Sequence, residues 1–222
     1  MTRATSLLSL LLLTACGEPA DDTTPIDTSD TSDTDAVDLS GQPAELRNTP
    51  TDCKRITLVA PELPVEAGLY AAARLRPLAW PATITDVAYG LPNAEECDAG
   101  LAHKVIVFAV DAGVPVEDPA AAPGAQTLDY EASPEGTGLV TVELALRQPI
   151  TLTEGQDLFV AIQLTANADA SASICIAICA DDGGTPGVNW WSETTEAPFT
   201  WSDLVEQYGI SEDLMVSATG TY

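Results

Sequence analysis

The chain has 222 residues, 45% of them apolar, with 34 acidic side chains against 8 Lys and Arg and a net charge of −26. One ordinary domain or two small ones fit that length, and the apolar content is enough for a core. Eight cations spread along the chain cannot displace counterions from a polyphosphate backbone or form a basic membrane patch, so nucleic-acid binding and basic peripheral membrane binding are excluded.

Residues 1–15 read as an export signal: Arg3 provides the positive end, and Leu7, Leu8 and Leu10 to Leu13 form an apolar stretch too short to span a bilayer. The stretch closes with Leu13-Thr14-Ala15-Cys16. These four positions resemble the lipobox of bacterial lipoproteins. The resemblance implies cleavage before Cys16, lipid on its sulfur and amine (palmitate among the acyl chains), and a membrane partner reached through that lipid rather than through a spanning helix. Gly17 stands where an Asp retains family members in the inner membrane, so the resemblance implies the outer membrane or cell surface.

Residues 16–45 follow as a linker. Between Glu18 and Glu45 there are nine acidic residues and no basic one, and residues 27–35 repeat Asp, Thr and Ser without apolar periodicity. Such a segment buries too little apolar surface to offset chain entropy, and its like charges repel, so it is expected to be extended and disordered.

Residues 46–222 read as one domain carrying 25 acidic and 7 basic residues, a net −18. Its periodicity is that of strands: 56–59, 69–75, 84–89, 104–110, 127–131, 139–146, 158–164, 173–179 and 214–219, separated by Pro and Gly clusters. No ten-residue helical stripe interrupts them, and Asp203 to Gln207 has room for one turn before Gly209. The expectation is an all-β fold, a single β-sandwich of jelly-roll or Greek-key type. Val105 to Val110 is apolar on both faces, which predicts a central strand covered by loops. The order Gly184-Thr185-Pro186-Gly187, Asn189-Trp190-Trp191, Pro198 to Leu204 and Asp213 to Val216 is similar to the C-terminal half of jelly-roll modules in bacterial secreted and surface proteins of unknown function. That likeness implies a fold and no activity.

Four cysteines lie in the domain: Cys53, Cys97, Cys175 and Cys179. An even number in an exported chain predicts disulfides, and the spacings match no common zinc site. Cys175 and Cys179 alternate with apolar residues as in a strand, where their Cα atoms would stand about 13 Å apart, against the roughly 4.4–6.8 Å of a disulfide. They are therefore expected to pair outward, one with Cys53 and one with Cys97; the alternative, Cys53–Cys97 with Cys175–Cys179, requires the strand to break into a turn.

No nucleophile elbow, metalloprotease or P-loop pattern is present, and His103, the single histidine, reads as structural, so a non-catalytic domain is expected. Two segments suggest ligands. Asp181-Asp182-Gly183-Gly184 offers the oxygen donors that Ca²⁺ takes, although a plain Asp-Gly turn is the favoured reading. Trp190, Trp191 and Trp201 place three of the four tryptophans in one turn-rich stretch. An exposed indole there would stack a pyranose ring, whereas a buried one would close the core. The functional expectation is a lipid-anchored surface protein presenting an interaction module for a glycan or protein ligand. The alternatives are a polysaccharide-acting hydrolase or accessory enzyme and a purely structural envelope component.

Overall fold

The computed structural model describes residues 38–60, 68–94, 96–111, 113–131, 136–180 and 183–222. The signal segment, Cys16, most of the linker, and Asp181 and Asp182 with their Ca²⁺ reading lie outside the described residues. What is described is an all-β sandwich with one short helix.

The first layer is a four-stranded antiparallel sheet: β1 (Pro43–Arg47), β13 (Val216–Thr221), β4 (Ala82–Asn93) and β7 (Gly138–Leu152), in that spatial order. The second has six strands: β11 (Trp201–Asp203), β10 (Asn189–Ser192), β3 (Leu69–Leu75), β8 (Gln156–Leu164), β5 (His103–Asp111) and β6 (Gln126–Tyr130). A smaller sheet joins β12 (Asp213–Leu214), β9 (Ile176–Cys179) and β2 (Ile56–Val59). It is stitched to the four-stranded sheet at Met215, whose N–H donates to the Ala177 carbonyl while its own carbonyl accepts from Gly90.

Alternation builds the core. Ala71, Ala73 and Leu75 of β3, Leu158, Val160 and Ile162 of β8, and Val105 and Val107 of β5 face the four-stranded sheet and its Ile84, Val87 and Tyr89. The residues between them, Tyr70, Ala72, Ile106, Phe108, Phe159 and Ala161, point the other way and still are buried, in a second apolar cluster with Trp190 and Phe199. Strands apolar on both faces are thus covered by a sheet on one side and by loops on the other, as the Val105–Val110 run predicts.

Four details differ from or sharpen the sequence reading. The first strand begins at Pro43, inside the segment read as linker, and pairs along its length with β13. It carries only Ala44 and Leu46 as apolar contacts, too few to register as a pattern. Strands β10 and β11 lie in the Trp-rich stretch, where turn residues mask short pairings. The disulfides are Cys53–Cys179 and Cys97–Cys175, with Cα separations of 5.9 and 5.4 Å. Cys175 and Cys179 therefore sit in different bridges, as an extended segment requires. The single helical turn, α1 (Leu204–Tyr208), has Asp203 as its N-cap and Gly209 in the left-handed region (φ 68°) as its C-cap.

Candidate functional site

A concavity of about 1040 Å³ runs along the side of the sandwich where the edge strand of each main sheet meets the other. Three features of the chain build it. First, β7 bulges. Ile150 pairs with Ile84 and Ala145 with Asp86, so Leu146 to Pro149 stand opposite the single Thr85. Such a bulge bends a strand and re-aims its side chains, and here it sets Arg147 and Gln148 on the groove wall. Second, the Gln126 side chain clamps the seam: its Nε2 donates to the Gln148 carbonyl at 2.6 Å and its Oε1 accepts the Gln148 N–H at 3.2 Å. The amide acts as a missing rung between β6 and β7. Third, the segment 113–125 folds over the outer face of the six-stranded sheet, where Asp118 caps a 3-10 turn at Pro119–Ala121 and Pro119 is buried.

Trp201 and Phe199 hold that third wall. Trp201 donates its Nε1–H to the Val116 carbonyl at 2.9 Å, and the Phe199 N–H donates to the Glu117 carbonyl at 2.7 Å. Phe199 packs against Tyr70 and Trp201, with ring centroids at 5.4 and 5.8 Å. Trp80 fixes the other end, donating to the Gln156 carbonyl at 3.0 Å.

The three tryptophans singled out from the sequence therefore fall in different places. Trp190 and Trp191 point to opposite faces, as neighbours in a strand must. Trp190 is buried in the outer cluster, and Trp191 is half-buried against the main core. Trp201 is half-buried beneath the 113–125 segment. No open indole platform forms at Trp190, because the outer cluster needs its area. The Trp190 Nε1–H is itself buried without a partner among the described residues. Asp203, a sequence neighbour suited to sugar hydroxyls, is also buried. One oxygen caps α1 through Val205 and Glu206, and the other accepts the Gly187 N–H at 2.5 Å.

The groove pairs an apolar floor, including Ala109, Val110, Ala125 and Ile150, with a polar rim of Asp111, Asp118, Thr127, Arg147, Gln148 and Thr151. Its carboxylates have local partners. Asp111 accepts from Gln156 Nε2 at 3.1 Å, and Asp118 accepts from the Ala121 N–H at 3.2 Å. Sequence reasoning missed this site because its residues come from four separated stretches, none of them a motif. The one available signal was the break of the β7 alternation at Arg147-Gln148-Pro149.

Several buried titratable groups away from the groove are tied into the structure. His103 Nδ1 lies 2.7 Å from the Leu101 carbonyl, which can only accept, so Nδ1 carries the proton and Nε2 accepts from the Tyr89 hydroxyl at 2.7 Å. Burial lowers the His103 pKa and raises that of Tyr89. Asp157, fully buried, is held by Arg74 and Arg76. All four cysteines of the domain are disulfide-bonded, so none of them is a thiolate nucleophile.

Fold and site together define a disulfide-stapled β-sandwich with a lateral groove. No protein-family profile matches the sequence, and no curated protein does. Among solved structures the chain is similar to two of Cwp84. One, described as the cysteine protease and lectin-like domains of this surface layer associated protein of Clostridium difficile, is 13% identical over 69% of this chain and 32% of that one, with a TM-score of 0.49. The other, the clostridial cysteine protease after propeptide cleavage, is 12% identical over 80% of this chain and 40% of that one, with a TM-score of 0.53. The second likeness is one of fold, and the match spans less than half of either Cwp84 chain.

Proposed function

We propose that this domain is a non-catalytic glycan-binding module displayed at the cell surface, anchored through lipid on Cys16 and spaced from the membrane by the acidic linker. The observation that carries the reading is the groove itself: a polar rim of amide, hydroxyl and carboxylate groups around an apolar floor, braced by a bulge, a glutamine clamp and a tryptophan-pinned wall. Sugars present that duality, with hydroxyls that exchange hydrogen bonds and C–H faces that prefer apolar contact. Trp201 and Trp80 enter as braces of the groove rather than as its stacking surface. Cwp84, whose fold is shared over part of its length, is described as surface-layer associated and as having a lectin-like domain, and the same kind of role is proposed for this domain on the strength of its own groove. Among the described residues no helix is long and apolar enough to cross a membrane, and lipid on Cys16 supplies attachment without one.

The test is calorimetric titration of the domain with neutral and acidic oligosaccharide fragments of envelope polysaccharides. Gln148→Ala and Thr151→Ala, exposed groove positions, should weaken binding about tenfold each, the equivalent of one hydrogen bond, with unchanged urea unfolding. Wild-type protein that binds no glycan, or variants that bind like wild type, would overturn the proposal.

A further inference from the structure

We infer that the groove selects saccharides bearing a carboxylate, with Arg147 as the residue that reads it. The inference rests on the glycan-binding reading and narrows it to a class.

In this domain 25 acidic residues surround 7 cations, so a cation without an acidic or carbonyl partner is conspicuous. Arg47 pairs with Glu45, Arg74 and Arg76 share Asp157, Arg55 donates to the Ala180 carbonyl, and Lys54 is also engaged. Among the described residues, only Lys104 and Arg147 have side chains with no hydrogen-bond or ion-pair partner, and of the two only Arg147 lines the groove. Its position is fixed by the fold. It lies in the β7 bulge, beside the Gln148 main chain that Gln126 holds at both its N–H and its carbonyl. A guanidinium on so anchored a backbone presents a planar fork that matches a carboxylate with two parallel hydrogen bonds. Asp111 and Asp118, on the same groove, are acceptors for hydroxyls and would repel a carboxylate placed beside them. A uronic acid satisfies both sides in one ring: its carboxylate meets Arg147 and its hydroxyls meet the acidic rim. The overall negative charge of the domain repels anionic polymers at long range, but at physiological salt that field decays over about 8 Å and leaves the local pair intact.

The test compares an oligogalacturonate with its methyl ester, a chain of the same length whose carboxyl groups are uncharged, by calorimetry at 150 mM salt. Wild type should bind the free acid at least tenfold more tightly than the ester. Arg147→Ala should lose that preference and bind both forms with the ester's affinity. Arg147→Lys should recover only part of it, because an ammonium lacks the fork. Equal wild-type affinity for the two forms, or a preference that survives in Arg147→Ala, would overturn the inference while leaving the groove as a glycan site if Gln148→Ala still weakens ester binding. Failure of wild type to bind either form or any neutral glycan would overturn both readings.

Discussion

Replacing Asp157 tests whether the buried charge cluster at the start of β8 is a single coupled unit. Its carboxylate is fully buried and accepts from Arg74 Nε at 2.6 Å and Arg76 Nε at 3.1 Å, with a second Arg74 nitrogen at 2.5 Å. The two arginines differ: the Arg74 side chain is 19% exposed and that of Arg76 is 61% exposed. Asp157→Ala leaves Arg74 as an uncompensated, largely buried cation, which costs about 3–5 kcal/mol. Arg76 can turn into water, so Arg76→Ala should cost no more than about 1 kcal/mol. For a domain of this size 1 kcal/mol moves Tm by about 2–4 °C, so Asp157→Ala should lower it by about 6–20 °C. Urea unfolding of both variants and of Asp157→Ala combined with Arg74→Met checks the assignment. The double variant should recover much of the loss, because the stranded charge is gone. A loss below about 1 kcal/mol for Asp157→Ala, or equal effects of Arg74→Ala and Arg76→Ala, would refute this account.

Four further outcomes are expected. Removing Cys97–Cys175, which spans 78 residues of sequence, should cost about 4.5 kcal/mol in urea by the chain-entropy relation, and non-reducing peptide mapping should recover Cys175 and Cys179 in separate bridges. At Gly220, an added Cβ would stand 1.9 Å from the Thr83 carbonyl oxygen, whereas at Gly184 it would meet backbone no closer than 2.7 Å. Gly220→Ala should therefore destabilise by at least about 2 kcal/mol and by more than Gly184→Ala. His103 is held neutral with its pKa lowered by burial. Its stabilising contribution is present above the unfolded-state pKa of about 6.5 and is lost as pH falls toward the lowered folded value, with a slope of at most about 1.4 kcal/mol per pH unit, and a pH series of unfolding curves should show that slope vanish in His103→Phe. Cys16→Ser should leave the full chain in the aqueous phase of a detergent partition in which the wild type enters the detergent phase; equal partitioning would refute the anchor.

The fold was legible where alternation is strong. The apolar strands of the six-stranded sheet are visible in the sequence because both their faces are buried, and the alternation of Ile174, Ile176 and Ile178 with Cys175, Ala177 and Cys179 argues against a bridge between the two cysteines unless the strand breaks. The first strand was not legible, because two apolar contacts beside an acidic linker make no pattern. The groove was hidden for a different reason. Gln126 and Gln148 are 22 residues apart, and only the closure of the two sheet edges brings the side chain of one to the main chain of the other. Tryptophan density marked Trp201, which holds Val116 at the groove wall, but a sequence cannot tell a brace from a platform. That depends on whether the 113–125 segment lies over the rings, and its covering of the outer face is a tertiary event.

The central claim is that the lateral groove is where this domain meets its ligand, and amide chemical-shift mapping on titration with an oligogalacturonate tests it most directly. The account predicts perturbations concentrated at Asp118, Gln126, Arg147, Gln148 and Thr151, with the β2 edge at Ile56 and Leu58, also exposed and apolar, left unmoved. Shifts centred on Ile56 and Leu58, or no shifts with any glycan, would contradict it.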